Sequence, residues 1–390
     1  MALPDSIATQ LESIRRQCAE RAPQWAGAGA RIPVERYWDP ALWRGEVQHL
    51  FRELPLVAAH SSELARGQAL AHDAYGVPML LARDESGRVR AFLNVCRHRG
   101  MRLLDEARAA DKPAISCPYH GWTYRLDGTL RHMLHAEAFD ECAGGERDLA
   151  ALPCAERHGL VWVVPSTRAT IDIEAYLGGL DADLPFFGID GLQLFRTTTA
   201  EYPANWKLIV DAFLEPYHIR VLHRDTIYPF FTDCITAAQR YGPHIASLVA
   251  RRAAQDWVDG NGQAPDTLEG LRLLTTPSQV IFPNTITIFH PDYLSLITVY
   301  PVGPETLRWT HRMLVPRDKA TPDWTPHWEK TFRLIEQGVF QKEDVRCAVG
   351  IQQGLKSGAN AHLTVGRMEQ SVAWFHDTVM RHVAQASSSG

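Results

Sequence analysis

Cys96-Arg97-His98-Arg99-Gly100 and Cys117-Pro118-Tyr119-His120-Gly121-Trp122 decide the reading of this chain. Each segment offers one thiolate and one imidazole, spaced C-x-H in the first and C-x-x-H in the second. Two thiolates and two imidazoles suit a Rieske-type 2Fe-2S centre, in which one iron keeps two Cys and the other takes two His. Neutral imidazole in place of thiolate lowers the charge on such a cluster and raises its potential to about −150 to +300 mV. The alternative is a structural zinc site, which the same Cys2His2 set also suits. Zinc fingers usually group Cys with Cys and His with His, whereas here every loop carries one of each. Gly100 and Gly121 let the backbone adopt positive φ and approach a cluster closely, and Pro118 fixes a tight turn.

The flanks read as a small β domain. Val77–Ala82 and Val89–Asn94 are strand-like and joined by a turn over Asp84–Gly87. Ile115 leads into the second loop. Asp127-Gly128 between apolar runs is a strong hairpin signal, and Gly159–Val164 is a further strand.

Working outward, 390 residues suffice for two domains. A net charge of −5 gives no basic footprint for nucleic acid. No apolar run approaches the roughly 18 residues of a membrane span. The segment from Met1 to Arg21 reads as an amphipathic helix without a signal-peptide core. Beyond Cys96 and Cys117, the cysteines Cys18, Cys142, Cys154, Cys234 and Cys347 show no pairing pattern, which suits a reducing cytoplasm. After Pro165 the pattern turns helical over Ile171–Leu180 and Asn205–Leu222, to strands over Ser278–Val315, and to a long helix over Asp323–Leu355. The expected fold is α+β: an N-terminal helical segment (1–40), a Rieske antiparallel β domain (41–165), a catalytic domain with an antiparallel sheet covered by helices (166–385), and a disordered tail (386–390).

A second ligand set lies in Asn205–His223. His218 and His223, joined by one carboxylate, would form the facial triad of a non-haem Fe(II) oxygenase. On an ideal helix two residues five apart point about 140° away from each other. Convergence therefore needs a π-bulge or a distorted helix end, and Pro216 makes such a break reasonable.

Together these segments resemble the α-subunit of the Rieske non-haem iron oxygenases, the aromatic ring-hydroxylating family, over nearly the whole chain. Asn205-Trp206-Lys207 with Glu215-x-x-His218-x4-His223 resembles its iron motif. Phe282-Pro283-Asn284 and Tyr300–Pro304 resemble later sheet segments, and Glu343–Leu355 resembles the helix that carries the third ligand. The resemblance implies mononuclear iron on His218, His223 and Asp344, with Glu343 as the rival carboxylate. It implies a bridge to the cluster of a neighbouring subunit through Glu215, where relatives more often have Asp, with Asp211 as an alternative bridge or supporting group. Some quaternary-ammonium oxygenases also carry Glu there. Ala212 stands where many relatives have Asn.

The implied activity is that of a terminal oxygenase using O2. Its cofactors would be a 2Fe-2S cluster and Fe(II), and its partners a reductase or ferredoxin and a small-molecule substrate, in a homotrimer with or without a small β-subunit. The chain has neither G-x-G-x-x-G after a strand nor a plant-type cluster motif, so NAD(P)H would act only through the reductase. The leading substrate expectation is an aromatic compound that is mono- or dihydroxylated; the alternative is a quaternary or methylated amine. Phe213, Leu222, Phe282, Phe289 and Tyr293 are the expected pocket residues, with Phe289, Tyr293 and Tyr300 as a possible cation cage. Arg97, Arg99 and Arg102 are candidates for docking an acidic electron donor, with ion pairs that stabilise the fold as the alternative.

Overall fold

The computed structural model describes residues 2–73, 75–107, 109–139 and 144–387, so Cys142 and 388–390 lie outside it. It forms two compact units, Phe51–Tyr176 and a second built from Met1–Leu50 with Leu177–Gly390. Residues 41–50 thus belong with the larger unit rather than with the cluster-loop unit, and 166–176 the reverse. Ala386 and Ser387, expected in a disordered tail, continue the helix Gln370–Ser387.

The unit Phe51–Tyr176 is built from short antiparallel strands. One five-stranded sheet runs in the order Ala151–Leu152, Val89–Leu93, Met79–Arg83, Gln68–His72, Ala110–Asp111. A three-stranded sheet, Ile115–Ser116, Thr123–Tyr124 and Leu130–His132, carries the second ligand loop at its first turn. The Asp84 turn is held by its own carboxylate, which accepts from Ser86 N (2.9 Å), Arg88 N (3.0 Å) and Arg90 Nε (3.0 Å). At the Asp127-Gly128 turn, Gly128 has φ +92°, and a Cβ there would lie 2.3 Å from the buried Phe92 ring. Both the conformation and the close approach require glycine. Cys96, Cys117, Trp122 and Tyr124 belong to this unit's hydrophobic core.

The larger unit is a seven-stranded antiparallel sheet. Its order is Leu192–Tyr202, Thr306–Pro316, Leu294–Gly303, Thr285–Phe289, Thr275–Ile281, His244–Arg251, Phe231–Tyr241. The strands Thr275–Ile281 and Thr285–Phe289 are buried along their whole length although more than half of their residues are polar or Pro; within this layer the Thr287 hydroxyl donates to Gln279 Oε1 at 2.6 Å. The edge strand Leu192–Tyr202 is half-exposed and Thr-rich. It lacks the apolar run that would mark it, and it was not expected; nor were Phe231–Tyr241 and His244–Arg251. The helix Asp5–Glu20 lies on the two strands at the opposite edge. Its Gln10 amide donates to the carbonyls of Ala237 (2.9 Å) and Ala246 (3.2 Å), and Gln17 donates to Thr236 (2.8 Å).

Asn205–Leu222 is not one helix. Asn205 caps Trp206–Ala212 by accepting from Lys207 N, and a separate turn follows at Ile219–Leu222. The expected long helix is continuous from Thr325 to Leu355, but its middle section, Arg333–Val345, is π-helical. The wide helix therefore occurs around Asp344 and not between the two histidines.

Candidate metal centres

The two Cys-His loops are built alike. Cys96 N donates to Met101 O (2.8 Å) and Gly100 N to Cys96 O (3.0 Å). Cys117 N donates to Trp122 O (2.7 Å) and Gly121 N to Cys117 O (3.0 Å). Gly100 (φ +77°) and Gly121 (φ +71°) close the turns. The thiols are buried, and the imidazoles are half-buried on the solvent side, their Nδ1 atoms 3.1 Å apart. His98 also stacks on Trp122 at 5.0 Å. Burial pushes the Cys96 thiol up, and contact with Cys117 adds to this against the hydrogen bond from Tyr124. The Tyr124 hydroxyl lies 3.4 Å from Cys96 Sγ and accepts from Arg97 N at 3.0 Å; sequence reasoning did not single it out. Burial, with His120 and Arg99 nearby, holds His98 below the usual imidazole range.

Among the described residues, the His, Cys, Asp and Glu donors gathered within 4.8 Å of one another are those of His218, His223 and Asp344. The donors of the Cys-His set do not all lie within that distance of one another. Zinc, with bonds of about 2.0–2.3 Å, would draw four donors closer together.

The triad is oriented from behind. His218 Nδ1 lies 2.6 Å from Glu215 Oε1, and its Nε2 lies 3.7 Å from Asp344 Oδ1. His223 Nδ1 lies 2.7 Å from Glu343 Oε2, and its Nε2 lies 3.2 Å from Asp344 Oδ1. A carboxylate on each Nδ1 fixes the tautomer that leaves Nε2 free to bind a metal. The donor set, two imidazoles and one carboxylate, fits non-haem iron. His218 stands just before the turn Ile219–Leu222 and His223 just after it, with ring centroids 5.0 Å apart. The turn between them is helical and ends at His223, whose ψ of 20° leaves the helical range, so the pair meets across a helix end and not across a widened helix. Glu343 meets His223 at Nδ1 and accepts from Thr226 Oγ1 (2.9 Å) as well, so its carboxylate is engaged on the side of the ring away from Asp344. Asp211 is held by the Tyr37 hydroxyl (2.7 Å) and His376 Nε2 (3.0 Å) and lines the second cavity described below together with Glu215 and His218.

A cavity of about 360 Å³ opens on this triad. Phe213 and Tyr293 line it, as expected, together with Phe230, Phe231, Phe340 and Arg251, which were not foreseen. Three expected pocket residues lie elsewhere. Ile288 and His290 face the cavity, so strand alternation turns Phe289 to the other side, where it stacks on Phe187 at 4.4 Å. Phe282 packs on Phe375 and His382. Leu222 lines a second cavity of about 440 Å³, which also meets His218 and Asp344. Of the imagined cage of Phe289, Tyr293 and Tyr300, Tyr293 alone is in the wall. Arg102, proposed for docking, is tied to Asp73 and Asp105, each at 2.7 Å. Arg97 donates to Glu146 O, and Arg99 lies over the exposed Tyr119 ring.

Residues 55–153 match the Rieske [2Fe-2S] domain family, and residues 189–385 match the ring hydroxylating alpha subunit (catalytic domain) family. The chain belongs to the ring-hydroxylating oxygenase α-subunits. It is an oxidoreductase of the Rieske non-haem iron type, with a 2Fe-2S cluster and iron as its cofactors. It is 28% identical over 350 residues to the carnitine monooxygenase oxygenase subunit of Escherichia coli (strain K12), covering 87% of each chain. It is 27% identical over 402 residues to the glycine betaine monooxygenase oxygenase subunit of Chromohalobacter salexigens, covering 92% of this chain and 88% of the relative. Among solved structures, a quaternary ammonium Rieske monooxygenase in complex with L-carnitine superposes with TM-score 0.74 at 24% identity, covering 94% of this chain and 98% of that one. Naphthalene 1,2-dioxygenase from Rhodococcus sp. gives 0.74 at 19%, covering 97% and 98%. Among the described residues, no helix is long and apolar enough to cross a membrane.

Proposed function

We propose that this oxygenase hydroxylates a quaternary or methylated ammonium compound at a carbon next to nitrogen, leading to dealkylation or C–N cleavage. The observation that carries this reading is the composition of the cavity at the triad. Phe213, Tyr293 and Phe340 supply aromatic surface that can hold an ammonium group. The similarity to carnitine and glycine betaine monooxygenases over most of the chain supports the same reading, as does Glu at position 215. It replaces the aromatic substrate as the leading expectation. The apolar walls also fit a ring compound, which stays as the second reading.

When bound, the cluster supplies single electrons and the mononuclear iron supplies O2 activation. Cys96, His98, Cys117 and His120 hold the cluster; His218, His223 and Asp344 hold the iron. Overall, one C–H becomes C–OH, the second oxygen leaves as water, and two electrons come from NAD(P)H through a separate reductase or ferredoxin. Glu215 fixes the His218 ring and is the candidate bridge to the cluster of a neighbouring subunit in a homotrimer, with or without a small β-subunit. Inter-subunit electron transfer is described for the quaternary ammonium Rieske monooxygenase of carnitine oxidation.

The test is O2 uptake by iron-reconstituted protein with a surrogate reductase and NADH, against ammonium compounds and against ring compounds. Uptake matched by released amine or formaldehyde supports the proposal. Uptake only with rings, matched by hydroxylated ring product, overturns it.

A further inference from the structure

We infer that Arg251 anchors a carboxylate in the substrate cavity, so that the substrate is an ammonium carboxylate and not an amino alcohol. The inference rests on the function proposed above and narrows it.

Arg251 ends the strand His244–Arg251, two residues beyond Val249, and strand alternation turns both into the cavity. Its guanidinium lies over the rings of Phe230 (5.8 Å) and Phe231 (5.6 Å), and among the described residues it hydrogen-bonds only the Thr276 hydroxyl, from Nη1 at 3.4 Å. Among the described residues, no carboxylate forms an ion pair with it. Asp292, in the same wall, is taken by His327 Nε2 at 2.8 Å. The contrast with Arg272 is informative. Arg272 gives its donors to the carbonyls of His290 and Tyr293, which builds the wall; Arg251 keeps most of its donors for something else. Burial presses on the Arg251 charge but does not remove it, because arginine stays protonated in proteins. Burial likewise keeps His290 well below the usual imidazole range and therefore neutral. The cavity thus has a guanidinium in one wall and the rings of Phe213, Tyr293 and Phe340 in others. A zwitterion fits both if its ammonium lies on those rings and its carboxylate lies on Arg251, where the planar fork can bind it in bidentate fashion.

The experiment measures binding by calorimetry and kcat/KM for the holoenzyme with matched probes. These are carnitine, γ-butyrobetaine and glycine betaine, their methyl esters, choline, and benzoate and anthranilate. Arg251→Met and Arg251→Lys are compared with wild type, each checked for intact cluster spectrum and iron content. At least one ammonium acid should bind about tenfold to hundredfold more tightly than its ester. Arg251→Met should abolish that preference, and Arg251→Lys should restore part of it. Equal binding of acids and esters by wild type, a preference that survives Arg251→Met, or no binding of any acid overturns the anchor. Arg251-dependent turnover of an aromatic acid alone would keep the anchor and remove the ammonium reading. Turnover of choline as efficient as that of the acids would do the reverse.

Discussion

Glu343 and Asp344 are neighbours in sequence that grip opposite nitrogens of one ring, Glu343 at His223 Nδ1 (2.7 Å) and Asp344 facing His223 Nε2 (3.2 Å). Adjacent residues of an α-helix diverge by about 100°. The π-helical section Arg333–Val345 contains both and changes that angle; such segments recur at functional sites. Replacing Glu343 by Gln should therefore leave the three donors in position but loosen the imidazole. Iron affinity or O2 uptake should fall by about 10- to 100-fold, read as iron occupancy after dialysis against a chelator. Unchanged occupancy would mean that Glu343 is a bystander.

The Tyr124 hydroxyl beside Cys96 Sγ should raise the cluster potential, because a hydrogen bond to sulfur favours the more negative, reduced form. Tyr124→Phe should lower the potential by tens of millivolts, about 40 mV for each 1 kcal/mol of differential bonding. Protein-film voltammetry reads it, and no shift would assign Tyr124 a packing role only.

Asp84 carries a pH-dependent part of the stability. Burial raises its pKa, but the bonds from Ser86, Arg90 and Arg88 outweigh this and lower it from 3.8 to about 2. A depressed folded-state pKa contributes stability that is present above the unfolded value and lost as pH falls through the folded one. The shift corresponds to about 2 kcal/mol. Asp84→Asn should be destabilised by about that amount at neutral pH, and its deficit against wild type should shrink between pH 3.8 and 2. Urea unfolding followed by circular dichroism measures this, and a deficit independent of pH would contradict it.

Lys207 and Glu46 form a buried pair, with Nζ 2.5 Å from Oε1 and the Trp206 indole donating to Oε2 at 2.8 Å. Burial pulls the Lys207 pKa down, against the carboxylate that holds it up. Removing one partner leaves an unpaired buried charge, at a cost of about 3–5 kcal/mol. Glu46→Leu and Lys207→Met should each destabilise strongly, and the double variant should recover much of the loss. Additive losses in the unfolding midpoints would show that the pair is not coupled.

Some of this was legible in the sequence because it is local. The loops at Cys96–Gly100 and Cys117–Trp122 each need only a few residues and one glycine, and spacing alone gathers their ligands. A helix break beside Pro216 was anticipated, and it falls between Ala212 and Ile219; the wide helix was not, since nothing in Arg333–Val345 marks it. The choice between Glu343 and Asp344 rested on resemblance, because both are acidic neighbours and only geometry separates ring orientation from direct donation. Phe289 was misread because a strand buried on both faces does not reveal which face meets the cavity, and Phe282 because it lies in the turn after Ile281, whose direction the sequence does not give. Arg251 was invisible because its role depends on the absence of a carboxylate partner contributed by distant segments.

The most direct measurement is iron and sulfide content, with low-temperature EPR and O2 uptake, for wild type and Asp344→Ala. Wild type should hold one iron per chain beyond the cluster's pair. The variant should lose that iron and substrate-dependent O2 uptake while keeping the Rieske signal. A variant that retains both the extra iron and O2 uptake would contradict the assignment of the mononuclear centre to His218, His223 and Asp344.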